Sequence, residues 1–174
     1  MSPVHSVSRA RSTTAHRQGG FAPLVFRRFL HHSPEEVWEA LTDPAIVQQW
    51  FLTSMKAQRR VGGRITLETG PDRVRSSGRI RVWDPPRLFE YEWNTLADQP
   101  FPGERSVVRW ELAPHEGGTL VVLTHSDLTR QTARVFGHGI PVFLDRLEAL
   151  LGGKPLPDWG SRVEPLRASL FRRG

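Results

Sequence analysis

Two helix starts lie ten residues apart in HSPEEVWEALTDPAIVQQWF (32–51), and the second ends the first. Ser33 offers an N-cap hydroxyl. Pro34 fits the first helical position, because its missing N–H would have had no partner there, and Glu36 completes a Ser-x-x-Glu capping box. Asp43-Pro44 repeats the device: Asp43 can cap a second helix, and Pro44 disfavours helical geometry in the residue before it. Val37, Trp38 and Leu41 form one apolar stripe, and Ile46, Val47 and Trp50 another. The segment predicts two short amphipathic helices meeting at a forced corner and ending in the aromatic pair Trp50-Phe51.

On either side of that corner the pattern has period two. Residues 22–31 read as a first strand, and 61–70, 74–84, 87–93, 105–112 and 118–128 as further strands. Asp84-Pro85-Pro86, Pro100-Phe101-Pro102-Gly103 and Glu116-Gly117-Gly118 separate them. Phe89, Tyr91 and Trp93 alternate with Leu88, Glu90 and Glu92; Val108, Trp110 and Leu112 alternate with Val107, Arg109 and Glu111. Such alternation marks an antiparallel sheet solvated on one side, with Glu90, Glu92 and Arg109 outward and the aromatics inward. From 129 to 151 the period is helical again, with Val142, Phe143, Leu147, Leu150 and Leu151 on one stripe and Gly152-Gly153 as a stop. Gly137, Gly139 and Pro141 predict a break or kink in its first half.

The expected organisation is a disordered basic N-terminal tail over 1–21, one domain over 22–153, and a loosely packed Pro/Arg-rich C-terminal tail over 154–174. The domain reads as α+β. A strand, two short helices and five to six further antiparallel strands curve around a long C-terminal helix, with the short helices plugging one end.

Composition narrows the function classes. The chain has no cysteine, which removes disulfides, thiolate metal sites and cysteine nucleophiles and fits a cytoplasmic setting. No apolar run approaches the roughly 18 residues of a membrane span, and no secretory leader is visible. The net charge of +6 would suit a nucleic-acid partner, but residues 1–33 hold five arginines and no acid, and 160–174 four arginines and one glutamate. The stretch between is near neutral, so no nucleic acid is expected. The histidines lack metal-ligand spacing, and no Gly-x-Ser-x-Gly elbow or phosphate loop is present, so neither metal nor cofactor is expected.

The ordered set SPEEVWEALTDP, Trp50-Phe51, VGGRI (61–65), DPPRLFEYEW (84–93), VVRWEL (107–112), GGTLVVLTHSDL (117–128) and FLDRLEALLGG (143–153) resembles the helix-grip superfamily, also called START, SRPBCC or Bet v 1-like. Within it, the set is most similar to the branch holding the C-terminal domain of the Hsp90 ATPase activator Aha1 and its bacterial relatives. The likeness spans roughly 22–153. One position departs: relatives carry Gly-Trp where this chain reads Gly139-Ile140-Pro141, which implies a differently closed pocket. The resemblance implies a helix-grip fold with a cavity between sheet and final helix, and one fold of this kind hosts many activities. With the aromatic inner faces it gives Trp50, Phe51, Phe89, Tyr91, Trp93, Trp110, His125, Phe143 and Leu147 as cavity candidates. The leading expectation is non-enzymatic binding of a small hydrophobic or amphipathic molecule by a monomer or homodimer. The alternatives are interaction with an Hsp90-type chaperone and a polyketide cyclase-like enzyme, for which His125 is the first choice of general base and Tyr91 the second.

Overall fold

The computed structural model describes residues 22–70 and 72–171, the side chains of 166–171 apart; the expected N-terminal tail lies outside them. The forced corner forms as two helices, α1 (Pro34–Thr42) and α2 (Pro44–Phe51). The capping box closes in both directions: Glu36 N–H donates to Ser33 Oγ at 3.2 Å, and Ser33 N–H donates to a Glu36 carboxylate oxygen at 2.9 Å. Asp43 terminates α1 and caps α2, its carboxylate accepting from Ala45 N–H at 2.8 Å. Trp50 fixes the angle between the two helices: its indole N–H donates to Ala40 O at 2.8 Å, and its side chain is buried.

The strands are β1 (Leu24–Leu30), β2 (Thr53–Ala57), β3 (Arg64–Thr69), β4 (Val74–Asp84), β5 (Leu88–Thr95), β6 (Arg105–His115) and β7 (Gly118–Ser126). They form one antiparallel sheet in the order β1-β7-β6-β5-β4-β3-β2. The short strand β2 makes the sixth after the helices. Burial alternates along β5 and β7 and along β6 as far as Leu112, so Tyr91, Val108 and His125 form one inward rung and Phe89, Trp110 and Leu123 the next. On the outer face Arg109 bonds Glu90 at 2.9 Å and Glu111 at 3.2 Å. A bulge between Ile80 and Val82 bends β4, and Ile80 exchanges backbone bonds with Gly62 and Gly63, both at 2.8 Å. The β6–β7 hairpin turns through Glu116 and Gly117, both at positive φ, as a tight two-residue turn requires.

The sheet curves around α3 (Arg130–Leu151), giving the helix-grip α+β fold. α3 runs unbroken through Gly137, Gly139 and Pro141, where the sequence predicted a break or kink. Past it, residues expected to pack loosely form a further helix, α4 (Trp159–Phe171). Arg146 holds this end together. It is 7% exposed and donates to Trp50 O and Gln49 O, each at 2.9 Å, and to Pro157 O. One guanidinium thus satisfies carbonyls at the end of α2, where the helix dipole favours a cation, and also binds the connecting segment leading to α4.

Candidate functional site

Inside the grip lies an aromatic-walled cavity of about 840 Å³. Its floor is the inner face of β5, β6 and β7, with Tyr91, Trp93, Val108, Trp110, Leu123 and His125. Its roof is the first two-thirds of α3, with Val135, Phe136, Ile140, Phe143 and Leu144, joined by Trp159 and Val163 of α4. The mouth lies between the β3–β4 turn, with Gly70 and Asp72, the β5–β6 loop, with Pro100 and Phe101, and the exposed side of α3, with Arg130, Gln131, Arg134 and His138.

Of the nine side chains expected around a cavity, Trp50, Phe51, Tyr91, Trp93, Trp110, His125 and Phe143 line it. Phe89 and Leu147 lie elsewhere, at 2% and 1% exposure. Phe89 packs with Trp38, Trp83 and Tyr91, at the end of the sheet that α1 covers. Alternation assigns a residue to a face of the sheet; it does not say how far along that face the plug extends.

Three lining aromatics escaped the sequence reading. Phe136 shares a helical stripe with Ile140 and Phe143, a spacing visible in the sequence. Phe101 packs edge-on to Phe136 at 5.2 Å between centroids. Trp159 stacks on Phe143 at 4.0 Å, and a Cβ placed on Gly139 would lie 3.4 Å from its ring. An aromatic from α4 thus covers the stretch Gly139-Ile140, where relatives were expected to carry a tryptophan.

The entrance is held in register by Glu104, a carboxylate 2% exposed. It accepts from Thr129 N–H at 3.1 Å and from the hydroxyls of Thr129 and Thr132, fastening the β5–β6 loop to the first turn of α3. At the back, His125 is 4% exposed and packs among Trp93 and Phe136. Its Nε2 lies 2.9 Å from Ser106 Oγ, which donates to Trp93 O at 2.8 Å. Burial with no compensating charge pushes the imidazole down to about 3. Burial also pushes the Tyr91 hydroxyl up, against a smaller opposing pull from Trp110. At neutral pH both groups are uncharged. Among the described residues no three His, Cys, Asp or Glu side chains converge as metal ligands, and no helix is long and apolar enough to cross a membrane.

A curved sheet closed over a long helix, with an open aromatic interior, defines a helix-grip protein. The family model for Activator of Hsp90 ATPase homolog 1-like proteins matches residues 31–152, and the chain belongs to that family. Protein MLL2253 from Mesorhizobium loti is 27% identical, with a TM-score of 0.69, over 78% of this chain and all of that one. CalU16 from Micromonospora echinospora is also 27% identical, with a TM-score of 0.64, over 86% of this chain and 88% of that one. The Aha1 dimer from Colwellia psychrerythraea, at 21% identity and a TM-score of 0.61 over 75% of this chain and 96% of that one, shares the fold. No curated protein matches the chain.

Proposed function

We propose that the protein binds a small hydrophobic or amphipathic molecule in the cavity between sheet and α3, without chemical turnover. The observation that carries this reading is the aromatic-lined interior volume of about 840 Å³, within the range of small-molecule sites. The walls offer apolar area and ring faces, and few polar atoms. The neutral histidine at the back favours binding over acid–base catalysis, because an imidazole this weakly basic abstracts protons poorly. That speaks against the cyclase-like alternative with His125 as base, and the raised Tyr91 supplies no better one. A cytoplasmic location is part of the same proposal.

Chaperone interaction is the second reading. It rests on the family and on the shared fold of the Colwellia Aha1 dimer, whose assembly also suggests a homodimer here. Two experiments separate the readings. Native mass spectrometry after mild purification, followed by titration with 1-anilinonaphthalene-8-sulfonate, should show one co-purifying or added molecule per chain. A protein that carries nothing, binds no dye and instead stimulates a purified Hsp90 ATPase would overturn the first reading in favour of the second.

A further inference from the structure

His125 and the mouth of the cavity specify the ligand more closely. The inference rests on the cavity reading above. Ser106 has one hydroxyl proton and gives it to Trp93 O at 2.8 Å. It can therefore only accept from the His125 nitrogen 2.9 Å away, so Nε2 carries the hydrogen. A neutral imidazole protonated at Nε2 has an unprotonated acceptor at Nδ1. No described residue bonds Nδ1, and among the described residues the one fully enclosed side-chain polar atom without a partner is Ser76 Oγ, so Nδ1 opens on the cavity that His125 lines. An acceptor this deep, on a residue 4% exposed, costs free energy until a donor meets it.

The mouth carries a second signal. Arg130 and Arg134 stand four residues apart on the exposed side of α3, both line the cavity, and neither makes an ion pair among the described residues. Further along the same helix, Asp145 and Glu148 are paired with Arg28. Two cations at this spacing weaken a helix, and more so in its first turns, where the dipole is already positive and no acid is present. Glu104 occupies the backbone N–H of Thr129, so the two guanidiniums themselves form the cationic lip, with Asp72 on the facing side. His125 precedes Arg130 by five residues, a chain reach of at most about 18 Å, so the acceptor at the back and the lip at the mouth lie within reach of one molecule.

We propose that the cavity takes an amphipathic organic acid: a ring-containing apolar body with a hydroxyl that donates to Nδ1 of His125 and a carboxylate that lies against Arg130 and Arg134. The hydroxyl selects among apolar molecules, and the carboxylate sets which end faces out.

Three fluorescent probes test this by titration: 6-hydroxy-2-naphthoic acid, 6-methoxy-2-naphthoic acid, which lacks the donor, and 2-naphthol, which lacks the carboxylate. The hydroxy acid should bind roughly tenfold tighter than either analogue, the equivalent of one well-made hydrogen bond or buried charge contact. His125→Phe should erase the hydroxy-over-methoxy preference and keep the preference for the acid over 2-naphthol. The double variant Arg130→Gln/Arg134→Gln should do the reverse. Ser106→Ala, which frees the tautomer while keeping the imidazole, should lower the hydroxy-over-methoxy ratio and covers the case of a His125→Phe that fails to fold. Equal binding of all three probes, tighter binding of the methoxy acid, or ratios unchanged in the variants would overturn the inference and leave the cavity reading standing. Binding of none of the three would overturn both.

Discussion

Trp159 of α4 stacks on Phe143 of α3, with ring centroids 4.0 Å apart and planes 20° from parallel. Phe143 meets Phe51 edge-on at 4.6 Å, and Phe51 stacks on Trp50 at 4.9 Å, so one line of rings joins the corner helices to α4 across the cavity roof. Trp159→Ala removes the last ring. The stacked pair contributes about 1 kcal/mol beyond its buried area, so a melting-temperature drop of a few degrees is expected. Hydrogen exchange should rise selectively over 159–165 and 139–143, the two segments the contact joins.

Arg146 should be among the most sensitive positions. Replacing it with Met fills similar space but leaves the carbonyls of Gln49, Trp50 and Pro157 without their donor. Hydrogen bonds from a charged donor are worth about 1.5–3 kcal/mol each, and water can recover some of them, so a loss of about 3 kcal/mol in denaturant unfolding is expected. Arg146→Lys, with one ammonium in place of a fork, should recover only part of it.

Stability should fall on acidification in a window set by His125. Its folded value is pushed down to about 3, against about 6.5 for an unperturbed histidine, so between those values the unfolded chain binds a proton that the native state refuses. The histidine's contribution is complete above pH 6.5 and is lost progressively as pH falls towards 3, at up to about 1.4 kcal/mol per pH unit. Equilibrium unfolding from pH 4.5 to 7.5 should show this slope in the wild type, and His125→Phe should flatten it. Parallel curves for the two proteins would mean that His125 is not held neutral.

Gly118 opens β7 against the end of β1, and a Cβ there would lie 2.2 Å from Leu30 O. Gly118→Ala must push the two strands apart, and overpacking of this kind costs about 1–3 kcal/mol. Gly117 next to it faces open space but sits at φ +78°, so Gly117→Ala costs only about 1 kcal/mol of backbone strain. Comparing the two melting temperatures checks that order.

Sequence reading recovered the parts of this molecule that are encoded locally. The two proline-led caps and the alternation in RLFEYEW and VVRWEL determine local geometry and the buried face, and both are present here. What escaped it depends on partners distant in the chain. Arg146 falls within the stripe of Val142, Phe143, Leu147 and Leu150; a charge at a core-facing position was the available signal, but only tertiary structure supplies its three carbonyls. Trp159 sits in a segment whose Pro, Gly and Arg content reads as tail, and its partner Phe143 is sixteen residues away on another helix. Pro141 is accommodated inside α3 in spite of its missing N–H, so a context in which the helix packs against sheet, corner and α4 overrides local propensity.

The most direct test of a ligand-binding interior uses the six tryptophan indole N–H signals of the 15N-labelled protein. Trp50, Trp93, Trp110 and Trp159 line the cavity, whereas Trp38 and Trp83 pack against each other at 5.1 Å outside it. Titration with 6-hydroxy-2-naphthoic acid should shift the first group saturably with one-to-one stoichiometry and leave the second nearly still. Signals that all stay in place, or that move at Trp38 and Trp83 instead, would contradict the account.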